Sequence, residues 1–314
     1  MESTAEIKMT LTGKFEQNPD INFFTDRLQP WIEMDDGQRY PLGQYIITDM
    51  QPYTTASGRA MGDYTAYDLC YLMSTSKTED RYFIAAGTKY TEVLQNLLVE
   101  CGIQDFYIEP SEEVLRTSRE DWEPGTSRME ICNDLLKEIN YNSAYMDLQG
   151  SICCTAYRQA AAQNVDHTYK ADEFSLLYPE TSQVLDYFHR ANIFVRVVED
   201  AETEEPLRAV SVNDDPASAF SIQNQQRKVV DYDTISNIAS QEALQAYTDN
   251  LKFKSLLSTV ETEFSTGPNP RHQPFSVVAL EMREESGIYA ETAWNMSLSP
   301  PWKMEHTGKR VVAL

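Results

Sequence analysis

The chain has 314 residues, with 26 Lys and Arg against 49 Asp and Glu, a formal net charge of −23, 41 % apolar residues and 11 % aromatic ones. The Tyr and Phe content excludes a disordered acidic tail, and the length suffices for two or three domains whose cores need no disulfide or metal staple. The acidic balance argues against duplex-DNA binding, which uses Lys and Arg to displace counterions from phosphates, and against docking on an anionic membrane surface.

The first residues, MESTAEIKMT, carry neither a basic n-region nor an apolar h-region, so no Sec export is expected. IKMTLTGKF (7–15) alternates as a half-buried strand. WIEMDDGQRYPLGQYIITDM (31–50) holds a hairpin signal at Asp36-Gly37, and 45–48 form a β-branched core strand. A short helix is predicted over 65–74, and a strand over 81–86.

Two amphipathic helices follow. Residues 89–101 align Tyr90, Val93, Leu94, Leu97, Leu98 and Cys101 on one stripe, with Gly102 as the stop. Residues 127–140 align Ile131, Cys132, Leu135, Leu136 and Ile139, opening on a Ser127–Glu130 capping box. The segments GTKYTEVLQNLLVECG (87–102) and GTSRMEICNDLLKEIN (125–140) resemble each other at an offset of 38 residues.

Residues 145–154 read as a hairpin turning at Gln149-Gly150. Residues 192–200 and 207–214 form an antiparallel pair across AETEEP. The longest helix is predicted at 240–258, capped by Ser240, with Leu244, Tyr247, Leu251 and the stem of Lys254 along one face. The tail is strand: 259–266, 274–282, 287–299 and 309–314. Strands at both ends around a helix-bearing middle define an α+β pattern rather than an alternating βαβ one.

The motifs of common chemistries are missing. His167, His189, His272 and His306 are scattered, with no H-x-x-H, and read as surface or core residues rather than metal ligands. There is no P-loop, no G-x-G-x-x-G and no G-x-S-x-G elbow, so neither cofactor nor enzymatic activity is expected. Asp35-Asp36, Glu204-Glu205 and Asp214-Asp215 read as solvated turns, and Asp231-x-Asp233 as a surface feature. Cys70, Cys101, Cys132, Cys153 and Cys154, odd in number and irregular in spacing, read as reduced thiols, with Cys101 and Cys132 in the core. Trp31, Trp122, Trp294 and Trp302 are expected in core or interface.

TSRMEICNDLLKEINYNSAYMDLQGSICCTAY (126–157) resembles a segment of the baseplate hub proteins of phage tails: a helix ending in Leu-Leu, then a hairpin with a Gly turn and an aromatic-bearing strand. Residues 88–103, 172–198 and 208–232 resemble further parts of the same family, so the likeness runs from about residue 30 onward. It implies two tail-tube-like antiparallel β-barrel domains, residues 1–87 and 176–314 (the latter with helix 240–258), around an α+β middle domain at 88–175. It further implies a homotrimeric, pseudo-sixfold ring in a virion tail. One side would meet the tail tube or a distal tail protein, and the other the tip or spike, with DNA passing unbound. A carbohydrate- or receptor-binding tail protein is the alternative. The chain stops at KRVVAL, so no wall-degrading domain is expected. Within TVETEF (259–264), Val260, Thr262 and Phe264 point one way, and Glu261 and Glu263 are expected to face a water-filled lumen.

Overall fold

The computed structural model describes residues 9–34, 37–170, 177–178, 183–184, 190–198, 206–257, 261–282, 286–300 and 302–311, and it is mixed α+β. The chain divides into two compact units, residues 1–157 and 158–314.

The first unit runs β1 (Thr10–Glu16), β2 (Trp31–Glu33), β3 (Arg39–Pro41), β4 (Tyr45–Thr54), β5 (Ala60–Asp68), α1 (Cys70–Thr75), β6 (Tyr82–Ile84), α2 (Tyr90–Glu100), β7 (Phe106–Ile108), β8 (Arg119–Trp122), α3 (Arg128–Glu138), β9 (Tyr145–Met146) and β10 (Ile152–Cys154). Strands β1, β5 and β4 form an antiparallel sheet in that order. The hairpin β2–β3 turns at Gly37, whose φ of 79° suits glycine; Asp35 and Asp36 lie outside the described residues. The helix expected over 65–74 starts only at Cys70, because residues 65–67 are held in β5 by ladders to both β1 and β4 and Asp68 pairs with Tyr45 on β4. Strand β10 pairs antiparallel with β9 through the predicted Gly150 turn and parallel with β7.

The core of this unit lies where α1 and α2 meet α3, with Met73, Leu94, Leu97, Leu98, Met129, Leu135 and Leu136 fully buried. Cys70, Cys132, Cys153 and Cys154 are buried thiols in no disulfide, whereas Cys101 is only partly covered. The likeness at offset 38 extends to backbone detail. Thr88 and Thr126 each turn their hydroxyl back onto the carbonyl three residues earlier, of Ala85 and Glu123. Gly102 and Asn140, with φ of 75° and 58°, end the helices in the left-handed conformation. The next residue closes the same cap in each, Ile103 N donating to Leu98 O and Tyr141 N to Leu136 O. Beside α3, Glu138 accepts from Arg119 Nη1 at 2.5 Å and from the Tyr90 hydroxyl at 2.7 Å, while Arg119 also pairs with Asp121 and covers the Trp122 ring.

The second unit runs β11 (His167–Lys170), β12 (Leu177–Tyr178), β13 (Gln183–Val184), β14 (Ile193–Val198), β15 (Leu207–Val212), α4 (Ile222–Gln225), β16 (Val230–Ile235), α5 (Gln241–Leu257), β17 (Glu261–Thr266), β18 (Val277–Glu281), β19 (Gly287–Met296) and β20 (Met304–Arg310). Strands β14 and β15 pair antiparallel as expected, while β16 adds to β14 in parallel. Asp231 and Asp233, read as a surface feature, thus sit on an edge strand, and Arg196 Nη1 reaches Asp231 at 3.0 Å. Helix α5 packs on β14 and β15. Its buried side chains include Leu244, Thr248, Phe253 and Leu256; Tyr247 and Leu251 are half-buried, and Lys254 is exposed rather than on the packed face.

The remaining strands form one sheet in the order β11-β18-β19-β20-β17-β12, with β13 also on β17. The last strand, expected over 309–314, begins already at Met304, where β20 pairs with both β17 and β19; residues 312–314 lie outside the described residues. In a flat sheet, β11 and β17 would lie roughly 19 Å apart at about 4.8 Å per strand. The rings of Tyr169 on β11 and Phe264 on β17 are 6.4 Å apart instead, so the sheet curls on itself. Phe264, Val278, Leu280 and Tyr289 form the core inside the curl.

Candidate functional site

Strand alternation selects what enters this curl. Met304, His306 and Gly308 share the inward parity of β20, and Thr262, Phe264 and Thr266 that of β17. On β19, Tyr289 points inward, and Glu291 follows at the same parity just before a bulge between Glu291 and Ala293. The bulge lets Glu291 meet His306 although His306 pairs across the ladder with Trp294. His272 comes from the turn before β18, where its backbone N–H donates to Asn269 O.

These three side chains make one buried cluster. Glu291 Oε1 lies 2.6 Å from His306 Nδ1, and Glu291 Oε2 is in short contact with His272 Nε2. Both histidine side chains are fully enclosed, and the Glu291 side chain is only 3 % exposed. His306 Nε2 lies 2.8 Å from the Thr266 hydroxyl, which in turn donates to Gly267 O at 2.9 Å. Aromatic faces wall the cluster: Phe264 stacks on His306 at 4.6 Å, His167 stacks on His272 at 5.1 Å, and Trp294 meets His272 edge-on at 5.6 Å. Among the described residues, the buried His272 Nδ1 has no hydrogen-bond partner.

Burial dominates the electrostatics and disfavours charge on each group. It pushes His272 down to about 4 and His306 downward, the latter against the pull of Glu291. Burial pushes Glu291 upward, against the hydrogen bond and charge of His306. His167 is lowered by burial and by its neighbour His272. The ligating atoms of His272, Glu291 and His306 all lie within 4.8 Å of one another.

The scattered histidines of the sequence are therefore largely assembled: His167, His272 and His306 are neighbours, while His189 lies outside the described residues. His272 and His306 are core residues, as their reading allowed, but no spacing rule reveals that they converge on Glu291. The signal available was a carboxylate on the buried parity of a strand, two residues after the apolar Tyr289.

The alternation expected in TVETEF is present over 262–264. Thr262 and Phe264 are buried and Glu263 is exposed. Val260 lies outside the described residues, and of Glu261 only the backbone, paired with Lys309 and Val184, is described. Trp122 is buried against Arg119, whereas Trp31 and Trp302 stand at the surface. The pair Glu204-Glu205 lies outside the described residues, and Asp215 caps its own turn by accepting from Ala217 N.

No protein-family model matches the chain. No curated protein matches it by sequence. Solved structures do match it by fold. A tail protein from Neisseria meningitidis superposes with a TM-score of 0.63 at 13 % identity, covering 88 % of this chain and 81 % of its own. The 43 kDa tail protein of prophage MuSo2 from Shewanella oneidensis gives 0.62 at 11 % identity, covering 96 % and 89 %. An Escherichia coli component of the type VI secretion system, itself similar in structure to T4 bacteriophage tail proteins, gives 0.55 at 8 % identity, covering 96 % and 69 %. The chain thus has the fold of phage-tail and related secretion-system proteins, in agreement with the resemblance read from residues 126–157.

Proposed function

We propose that this chain is a structural hub of a phage-type tail baseplate or tail tip, a virion component without enzymatic activity. The observation that carries the reading is a fold shared with tail proteins over nearly the whole chain, 88 % and 96 % of it against two solved structures. In this reading three copies close into a pseudo-sixfold ring, built from two tube-like barrels per chain, that joins the tail tube or a distal tail protein to the tip or spike. Exposed large apolar side chains fit a subunit that is buried further on assembly. They include Phe24, Trp31 and Phe83 in the first unit, and Val230, Tyr232 and Trp302 in the second. No helix among the described residues is long and apolar enough to cross a membrane.

Glu261 and Glu263 line the lumen in this proposal, where a charge of −23 per chain repels DNA and lets it pass. Imaging the assembled particle with the chain located in it tests the reading. Three copies around the tail axis are expected, with Glu263 toward the channel. A single copy, or a sixfold ring without internal pseudo-symmetry, overturns the hub. Glu263 on the outer wall overturns the lumen assignment alone.

A further inference from the structure

We propose that His272, Glu291 and His306 form a binding site for one divalent transition-metal ion of the zinc class, enclosed by the curled sheet of the second unit. Glu291 reaches a ring nitrogen with each of its carboxylate oxygens, His306 Nδ1 with Oε1 and His272 Nε2 with Oε2, while the Thr266 hydroxyl holds the outer nitrogen of His306. The His306 contact is 2.6 Å long.

A proton can bridge only one ring to one carboxylate oxygen at a time, whereas a metal ion can bind the carboxylate and both rings. The second ring, His272, brings Nε2 to the same carboxylate while its buried Nδ1 has no partner among the described residues. A metal ion uses both rings. The donor set of two imidazole nitrogens and one carboxylate suits Zn²⁺ and its first-row neighbours, whereas Mg²⁺ and Ca²⁺ take oxygen ligands. Metal bonds of about 2.0–2.1 Å place tetrahedral ligands about 3.3 Å apart, and side-chain adjustment would bring these atoms, which lie within 4.8 Å of one another, to that spacing. Thr266 holds the His306 ring by its outer nitrogen, as partners of metal-bound histidines do. Phe264 and Trp294 fix the planes of the two rings. The ligands come from β19, β20 and the turn before β18, so the ion would tie three segments of the curl together. Binding replaces the hydrogen bonds that Glu291 makes to the two rings with bonds to the ion.

The test uses the full chain, stripped with a chelator and titrated with Co²⁺ and then Zn²⁺. One equivalent of Co²⁺ is expected to give the visible ligand-field bands of a low-coordinate ion, and Zn²⁺ to displace it and raise the melting temperature. Glu291→Gln and His306→Asn are each expected to weaken binding by at least about tenfold. His167→Gln, which alters a stacked neighbour and no ligand, is expected to bind as the wild type does. Wild-type protein that gives no Co²⁺ bands and retains no zinc overturns the proposal, and this arm does not depend on any variant folding. Unchanged affinity in folded Glu291→Gln and His306→Asn variants overturns it equally.

Discussion

Glu138 is a carboxylate with almost no access to water, and its neighbours decide whether that is tolerable. Burial pushes its pKa up, while Arg119 and Tyr90 pull it down. Burial also works against the Arg119 charge, but Asp121 and Glu138 more than offset it and hold the guanidinium charged. Arg119→Ala leaves the Glu138 carboxylate buried without its cation, and breaking such a pair costs about 3–5 kcal/mol. The pH sign follows. In the variant, the folded-state pKa of Glu138 rises further above its unfolded value, so the native state takes up a proton that the unfolded state does not. Stability is regained as pH falls through that raised pKa. Denaturant unfolding is expected to show a larger loss near pH 8 than near pH 5; a loss that is equal or grows on acidification contradicts it. Tyr90→Phe removes one donor to the same carboxylate and is expected to cost about 1–3 kcal/mol in the same measurement.

At the scale of elements, the twin helices show how one local pattern meets two contexts. Helix α3 begins as its sequence predicts, with the Ser127 hydroxyl accepting from Glu130 N at 3.1 Å. The matching residue before α2 is Lys89, which makes no side-chain cap and pairs with Glu112 instead. Ser127→Ala is expected to lower stability by about 1 kcal/mol, and Ser127→Gly by only a few tenths; equal losses would show that the hydroxyl is not the cap. Both helix ends were legible because Gly102 and Asn140 are residues that tolerate positive φ. The start of α1 was not, because Tyr67 and Asp68 carry no mark that says strand. Their ladder partners on β1 and β4 lie far away in sequence. Strand β16 escaped notice for a similar reason, since its polar, mostly exposed residues are strand only by pairing with β14.

For the whole molecule, the proposed hub predicts an absence that an assay can contradict. Purified protein is expected to show no turnover of peptidoglycan by zymography. Clearing that disappears on mutating one carboxylate would make the chain an enzyme and overturn that part of the reading. Glu291 is the carboxylate to include in such a scan, because it is buried beside two histidines.

What the amino-acid order determined by itself was local: the caps and stripes of α2 and α3, the turns at Gly37 and Gly150, the β14–β15 pair, and the alternation around Glu263. Each depends on residues a few positions apart, where backbone geometry alone sets which side chains share a face. Only the tertiary structure decided the curl that brings Tyr169 to Phe264 and the meeting of His272, Glu291 and His306. Those contacts depend on the order of strands in a sheet and on one bulge in β19. Strand order and the bulge are set by which long-range pairings bury the most apolar surface, not by any short stretch of sequence.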